Sequence, residues 1–284
     1  MNIPSTSTLP RLAVSLAFSL TVIAALALLL RGWPFLTRLI VICSVLMFAA
    51  CFASATRLLG RRAAASLAAL AVVTGWSAEQ MGSSYGWFFG SYTYTDVLGP
   101  QLGDVPVIIP MMWFALAYAG YVISNLIVWQ TPGDGRTSVR RSAVMAFLAA
   151  LVVTSYDLAA DPYMVYGLEA WIMEKKDGWW FGETLQGFVG WMLVAFTIVF
   201  AFRLLLRRLP VAPVAAAPLG VVLVPLALYA GLMVFLATMG TPVETRTIAV
   251  FAMGVPLLCA SCGLVRWRTE GRASVAAPVL KEAA

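Results

Sequence analysis

Two aspartates four residues apart, Asp157 and Asp161, stand in the string SYDLAAD from Ser155 to Asp161, directly before Pro162. Residues at i and i+4 share one face of an α-helix. The apolar run from Ala143 to Val153 leads into them, so the pair is expected at the end of a membrane-crossing helix. Acids are costly to keep beside hydrocarbon, and in such segments they mark functional sites by default. Two carboxyls held together let one donate a proton while an ionised partner orients water. The plain structural alternative is a polar helix end hydrated at the interface. A third acid, Glu79, closes another apolar run from about Ala63 to Gln80, and is expected at similar depth.

The elements that must position these acids are membrane helices. Of 284 residues, 61% are hydrophobic and 11% charged, whereas a soluble domain carries about 25% charged residues. The chain therefore reads as an all-α polytopic membrane protein with about eight transmembrane helices. The spans are expected near 12–30, 35–59, 63–80, 106–129, a fifth ending in the SYDLAAD string, 184–206, 218–239 and 247–265. They form one domain over 12–268, between a flexible N-terminus at 1–11 and a flexible tail at 269–284.

Charge sets the orientation. Fourteen of the nineteen Lys and Arg fall at the two termini and in the loops after spans two, four and six. The opposite side holds Arg31, Arg38, Lys175, Lys176 and Arg246. Cytoplasmic loops carry the excess of basic residues, so both termini are expected in the cytoplasm. Glu79, Asp96, Asp104, Asp157, Asp161, Glu169, Glu174, Asp177, Glu183 and Glu244 all fall in the other half. The net charge of +6 is thus a topology signal, and no nucleic-acid partner is expected.

The chain has no histidine, which excludes imidazole-ligated metals and every dyad or triad that needs imidazole. Cys43, Cys51, Cys259 and Cys262 sit inside apolar runs and read as packed small residues. No metal site is expected.

Two loops on the acidic face, 81–105 and 161–183, are rich in Gly, Tyr, Ser and Trp. Tyr92 and Tyr94 alternate as in an extended segment, punctuated by Gly and Pro on both sides. With Trp171, Trp179, Trp180 and Phe181 they form either an interfacial aromatic belt or the walls of a pocket that stabilises a cation.

The strings GWFFGSYTYTDVLGP (86–100) and GDVPVIIPMMW (103–113), followed by DLAADPYMV (157–165), GWWFG (178–182) and Gly190-Trp191, resemble the membrane-integral carotenoid 1,2-hydratase family over roughly residues 75–195. Ser84-Tyr85 stands where that pattern more usually has Thr-Gly, and Leu185-Gln186 precedes Gly187-Phe188. The resemblance implies carotenoid biosynthesis: addition of water to the terminal double bond of a linear carotenoid end group, giving a tertiary alcohol. Such a hydro-lyase needs no metal, nucleotide or redox cofactor. Asp157, Asp161 and Glu79 are the expected catalytic acids, with Asp157, one turn deeper, as the proton donor. Tyr92, Tyr94, Asp96, Trp113 and Trp171 are the expected substrate-binding residues. The implied partners are a carotenoid, water, membrane lipid and other enzymes of carotenoid biosynthesis. The implied setting is the cell (inner) membrane of a bacterium or archaeon.

Two other readings fit Asp157-x-x-x-Asp161. An intramembrane prenyltransferase, such as a lycopene elongase, uses a similar aspartate pair to hold magnesium diphosphate, with a second acidic motif and nearby cations. A transporter of a lipophilic substrate uses intramembrane acids as a proton relay.

Overall fold

The computed structural model describes residues 20–26, 28–133, 137–209 and 217–281. Helix α1 is helical over residues 20–26 and 28–29, so most of the first expected span lies outside the described residues. Then follow α2 (Phe35–Leu59), α3 (Arg61–Tyr85), α4 (Ile108–Trp129), α5 (Val139–Tyr166), α6 (Leu185–Leu206), α7 (Leu219–Met239) and α8 (Glu244–Lys281). The protein is an all-α polytopic membrane protein. Helices α2, α4, α5, α6, α7 and the Glu244–Thr269 part of α8 are long and apolar enough to cross a membrane. Helix α3 matches them in length but carries Glu79, Gln80 and two serines in its last turns.

Helix α4 is the hub. From Trp113 to Leu126 every residue is buried, and it packs against α2, α3, α5, α7 and α8. In lipid, helices associate by close packing over small residues. Gly120 of α4 lies so near α5 that a Cβ there would meet the Ala149 carbonyl at 2.8 Å. A Cβ at Gly263 of α8 would collide with the Leu126 carbonyl.

Pro162 of α5 and Pro225 of α7 each free a carbonyl one turn back, and such groups must find partners within the protein. Pro162 of α5 frees Leu158 O, which accepts from the indole N–H of Trp180 at 3.0 Å. Pro225 of α7 frees Val221 O, which accepts from Ser54 Oγ of α2 at 2.7 Å.

Three helix ends lie beyond the points expected from the sequence. Asp157 and Asp161 do not end their helix, because α5 continues through Pro162 to Tyr166. Helix α3 runs past Met81 and stops at Gly86, whose φ of +69° gives a left-handed cap with its N–H on Gly82 O; glycine adopts that conformation without a Cβ clash. The backbone expected to form a flexible tail from 269 is helical as far as Lys281.

The two aromatic loops close one end of the bundle. Strand β1 (Tyr92–Tyr94) pairs antiparallel with β4 (Trp171–Met173), placing Tyr92 opposite Met173 and Tyr94 opposite Trp171. A small hairpin, β2 (Gln101–Leu102) with β3 (Val105–Pro106), turns at Gly103 with φ +64°. Its Asp104 Oδ2 accepts from Gln80 Nε2 at 2.6 Å and from Ser84 Oγ at 2.9 Å, which pins the hairpin to α3.

Candidate active site

Glu79 is the most fully held acid. It is 5% exposed, and its side chain accepts three hydrogen bonds. Tyr92 and Tyr94 hydroxyls donate to Oε2 at 2.5 and 2.8 Å, and Trp113 Nε1 donates to Oε1 at 2.8 Å. Two of these donors come from the first loop, which reaches roughly 9 Å down from the end of α3 to meet it. Tyr92 and Tyr94 can share one acceptor because residues two apart on a strand point to the same side. Burial, then the charge of Glu79, raises both phenols well above their usual range, so they remain donors.

Glycines on α3 make room for this arrangement. Gly75 and Gly82 lie four before and three after Glu79, on its own face of the helix. A Cβ at Gly75 would meet the Trp113 ring at 2.7 Å, and one at Gly82 would meet Tyr92 Oη at 3.0 Å.

Asp157 and Asp161 are 1% and 7% exposed. Asp161 Oδ1 accepts from Trp171 Nε1 at 3.1 Å. Its other oxygen has no N–H or O–H donor, and the same holds for Asp157 Oδ2 and Glu183 Oε2. Asp161 and Glu183 are within carboxyl–carboxyl hydrogen-bonding reach, so a proton on one can be shared with the other. Burial first, then the charges of Asp157 and Asp161, raises the Glu183 carboxyl far above the usual carboxylate range.

Sequence reasoning placed Glu183 on the acidic face and did not assign it to the site. Its position comes from the second loop, where Gly178 bridges Gly182, Trp180 bridges Glu183 and Trp180 is tied to Leu158. No local spacing marks it, although Gly187 makes room for it: a Cβ there would collide with Glu183 Oε1.

All four acids line a single cavity of about 670 Å3. Its aromatic walls include Trp113 and Trp191 with ring centroids 4.5 Å apart, Tyr92 and Tyr94 at 5.3 Å, and Tyr94 and Trp171 at 5.8 Å. Of the residues expected here, Glu79, Tyr92, Tyr94, Trp113, Asp157, Asp161 and Trp171 all line it. The four aromatic residues do more than form walls, because their polar ends hold Glu79 and Asp161. Asp96 does not take part: it is exposed at the start of a 3-10 helix over Asp96–Leu98, outside the cavity. Trp191, Phe89 and Tyr156 line it unanticipated. Among the described residues, no group of three or more His, Cys, Asp or Glu is placed to hold a metal ion.

A family model described as "Carotenoid biosynthesis protein" matches residues 39–259. The chain is similar to the bisanhydrobacterioruberin hydratase of Haloarcula japonica, with 32% identity over 146 residues, which is 51% of this chain and 46% of the relative. The match thus spans about half the length of that curated protein. No solved structure matches.

Proposed function

The chain belongs to the carotenoid biosynthesis protein family, and on that premise we propose that it is a carotenoid hydratase, adding water to the terminal double bond of a linear carotenoid end group. The observation that carries this reading is the convergence of Glu79, Asp157, Asp161 and Glu183 on one aromatic cavity. Three oxygens of these acids lack a donor.

Hydration of a trisubstituted alkene begins with proton transfer to its less substituted carbon. Asp157 is the donor: its O–H bond breaks, the alkene π pair takes the proton, and a tertiary cation forms. Glu79, fixed by three donors, is the counter-charge, and the faces of Trp113 and Trp191 border the cation. Water held by Asp161 and Glu183 supplies its lone pair to the cationic carbon. The proton that water loses passes to the Asp161–Glu183 pair and returns along one helical turn to Asp157. The sum is alkene plus water to tertiary alcohol, with every acid restored.

The prenyltransferase alternative calls for cations around a diphosphate. Lys175 is the one Lys or Arg among the described residues lining the cavity, which favours the hydratase. In this reading the protein is a multi-pass protein of a bacterial or archaeal cell membrane, with both termini in the cytoplasm and the acids toward the outer face.

The test is expression in cells that accumulate a linear carotenoid, followed by mass analysis of the pigment. The expected product is heavier than its precursor by one water. A prenylated product, or activity lost to a chelator and restored by magnesium, counts against the reading.

A further inference from the structure

Every cavity-lining residue on α2 lies between Leu36 and Met47, and every one on α7 between Leu232 and Met239. The two helices run antiparallel, so both stretches belong to the end of the bundle closed by the aromatic loops. At the other end α2 and α7 are joined by the bond from Ser54 Oγ to Val221 O. The helices are therefore fastened at one end, and at the other each contributes a wall of the same cavity.

Those walls reach the surface. Leu36, Leu39, Phe235 and Met239 line the cavity and are also 48%, 46%, 42% and 54% exposed. Cys43, one turn deeper than Leu39, is exposed as well. On helices apolar enough to cross a membrane, exposed side chains of this kind face hydrocarbon. A second group that both lines the cavity and is exposed is polar in character: Ser91, Lys175 and Gln186, all on or beside the loops.

We infer that the cavity has two mouths with different users: an apolar one between α2 and α7, which takes a long isoprenoid chain sideways from the bilayer, and a polar one at Ser91, Lys175 and Gln186, which admits water. The chemistry of the walls selects the occupants. A polyene has no group to satisfy Lys175 or Gln186, and water gains no hydrogen bond from Leu36, Leu39, Phe235 or Met239. An isoprenoid chain lying through the apolar mouth brings its end group to the acids and leaves its remaining length in lipid. This inference rests on the hydratase reading for what happens at the end group, but not for where the chain lies.

Native cysteines supply the test. Cys43 lies in the apolar mouth, while Cys259 is exposed on α8 and does not line the cavity. The full-length protein in vesicles is treated with a lipophilic maleimide, with and without a linear polyene, and both residues are followed by peptide mass analysis. The polyene should slow alkylation of Cys43 several-fold and leave Cys259 unchanged. Equal rates at Cys43 with and without polyene overturn the lateral mouth, whether or not water is added to the pigment. Protection of Cys43 without hydration keeps the mouth and sinks the hydratase reading instead. A second measurement uses Leu39→Trp, which narrows the mouth without touching an acid. It should raise KM for the polyene several-fold and spare kcat, and an unchanged KM contradicts the inference.

Discussion

The Tyr94 hydroxyl donates to Glu79 Oε2 at 2.8 Å, on the same oxygen that Tyr92 occupies from two residues earlier on β1. A loop between two helices thus supplies both phenols to an acid buried inside the bundle. All three partners of that carboxylate, counting Trp113, donate to it. Replacing Glu79 by Gln sets an amide N–H against one of these donors: the Trp113 indole cannot accept at all, and a phenol accepts only by turning its own O–H elsewhere. The Glu79→Gln protein should lose about 1–3 kcal/mol of stability, the range for leaving a buried polar group unsatisfied, together with its activity. Thermal unfolding in detergent and pigment analysis check both; an equally stable, active variant removes Glu79 from the site.

The Asp157→Asn and Asp161→Asn variants separate shape from proton supply. Asn keeps the outline but offers no comparable acid. General acid catalysis contributes about 10²- to 10⁴-fold, so Asp157→Asn should be nearly inactive and Asp161→Asn less severely impaired. Both should insert and fold. Near wild-type rates in both would make the pair structural.

Glu183 carries a pH signature. Its carboxyl is raised in the folded protein, whereas an unfolded Glu ionises near about 4.3. The folded state therefore keeps a proton that the unfolded state gives up. The stability this group contributes is whole below about pH 4.3 and falls as pH rises through the window up to the folded value. Wild type should lose thermal stability between mildly acidic and mildly alkaline pH more steeply than Glu183→Gln. Parallel curves for the two proteins argue against a proton held at Glu183.

Gly187→Ala tests position without touching any acid. Alanine favours helix by about 1 kcal/mol over glycine, yet its Cβ would collide with Glu183 Oε1. The variant should be folded, and should add water far more slowly. Unchanged pigment output would show that Glu183 has no fixed place in the reaction.

Orientation can be read with single cysteines. A cysteine at position 177, exposed in the second loop, should react with an impermeant reagent added outside intact cells, and one at position 137, beyond the opposite end of α5, should not. The reverse pattern inverts the arrangement.

Much of this site was legible in the sequence. The spacing of Asp157 and Asp161 fixed their common face, and the alternation of Tyr92 and Tyr94 marked the strand that delivers them to Glu79. The boundaries were harder to read. Gly82, Ser83 and Ser84 look like loop by composition, yet they continue α3 to its cap at Gly86, and Gly82 is small because the Tyr92 ring lies against it. Pro162 looks like a stop, yet the partner that lets α5 continue lies eighteen residues ahead, at Trp180. Glu183 stayed hidden for the same reason: its place beside Asp161 depends on a loop folding back, which no local spacing announces. Asp96 sits in the family-like string, but it opens a surface turn that Thr95 caps.

Besides Trp171 on Asp161, the second loop is stapled to α5 by Trp180 Nε1 on Leu158 O and by Tyr166 Oη on Phe181 O at 2.7 Å. The two staples straddle Asp161 along the helix, and neither involves an acid. They act as a ruler between Asp161 and Glu183. The gap between the carboxyls can then be reset by changes at 166 or 180, with the reacting groups themselves untouched. In such a design, reactivity and spacing are inherited separately, so relatives with identical acids can differ in how tightly the pair grips its proton.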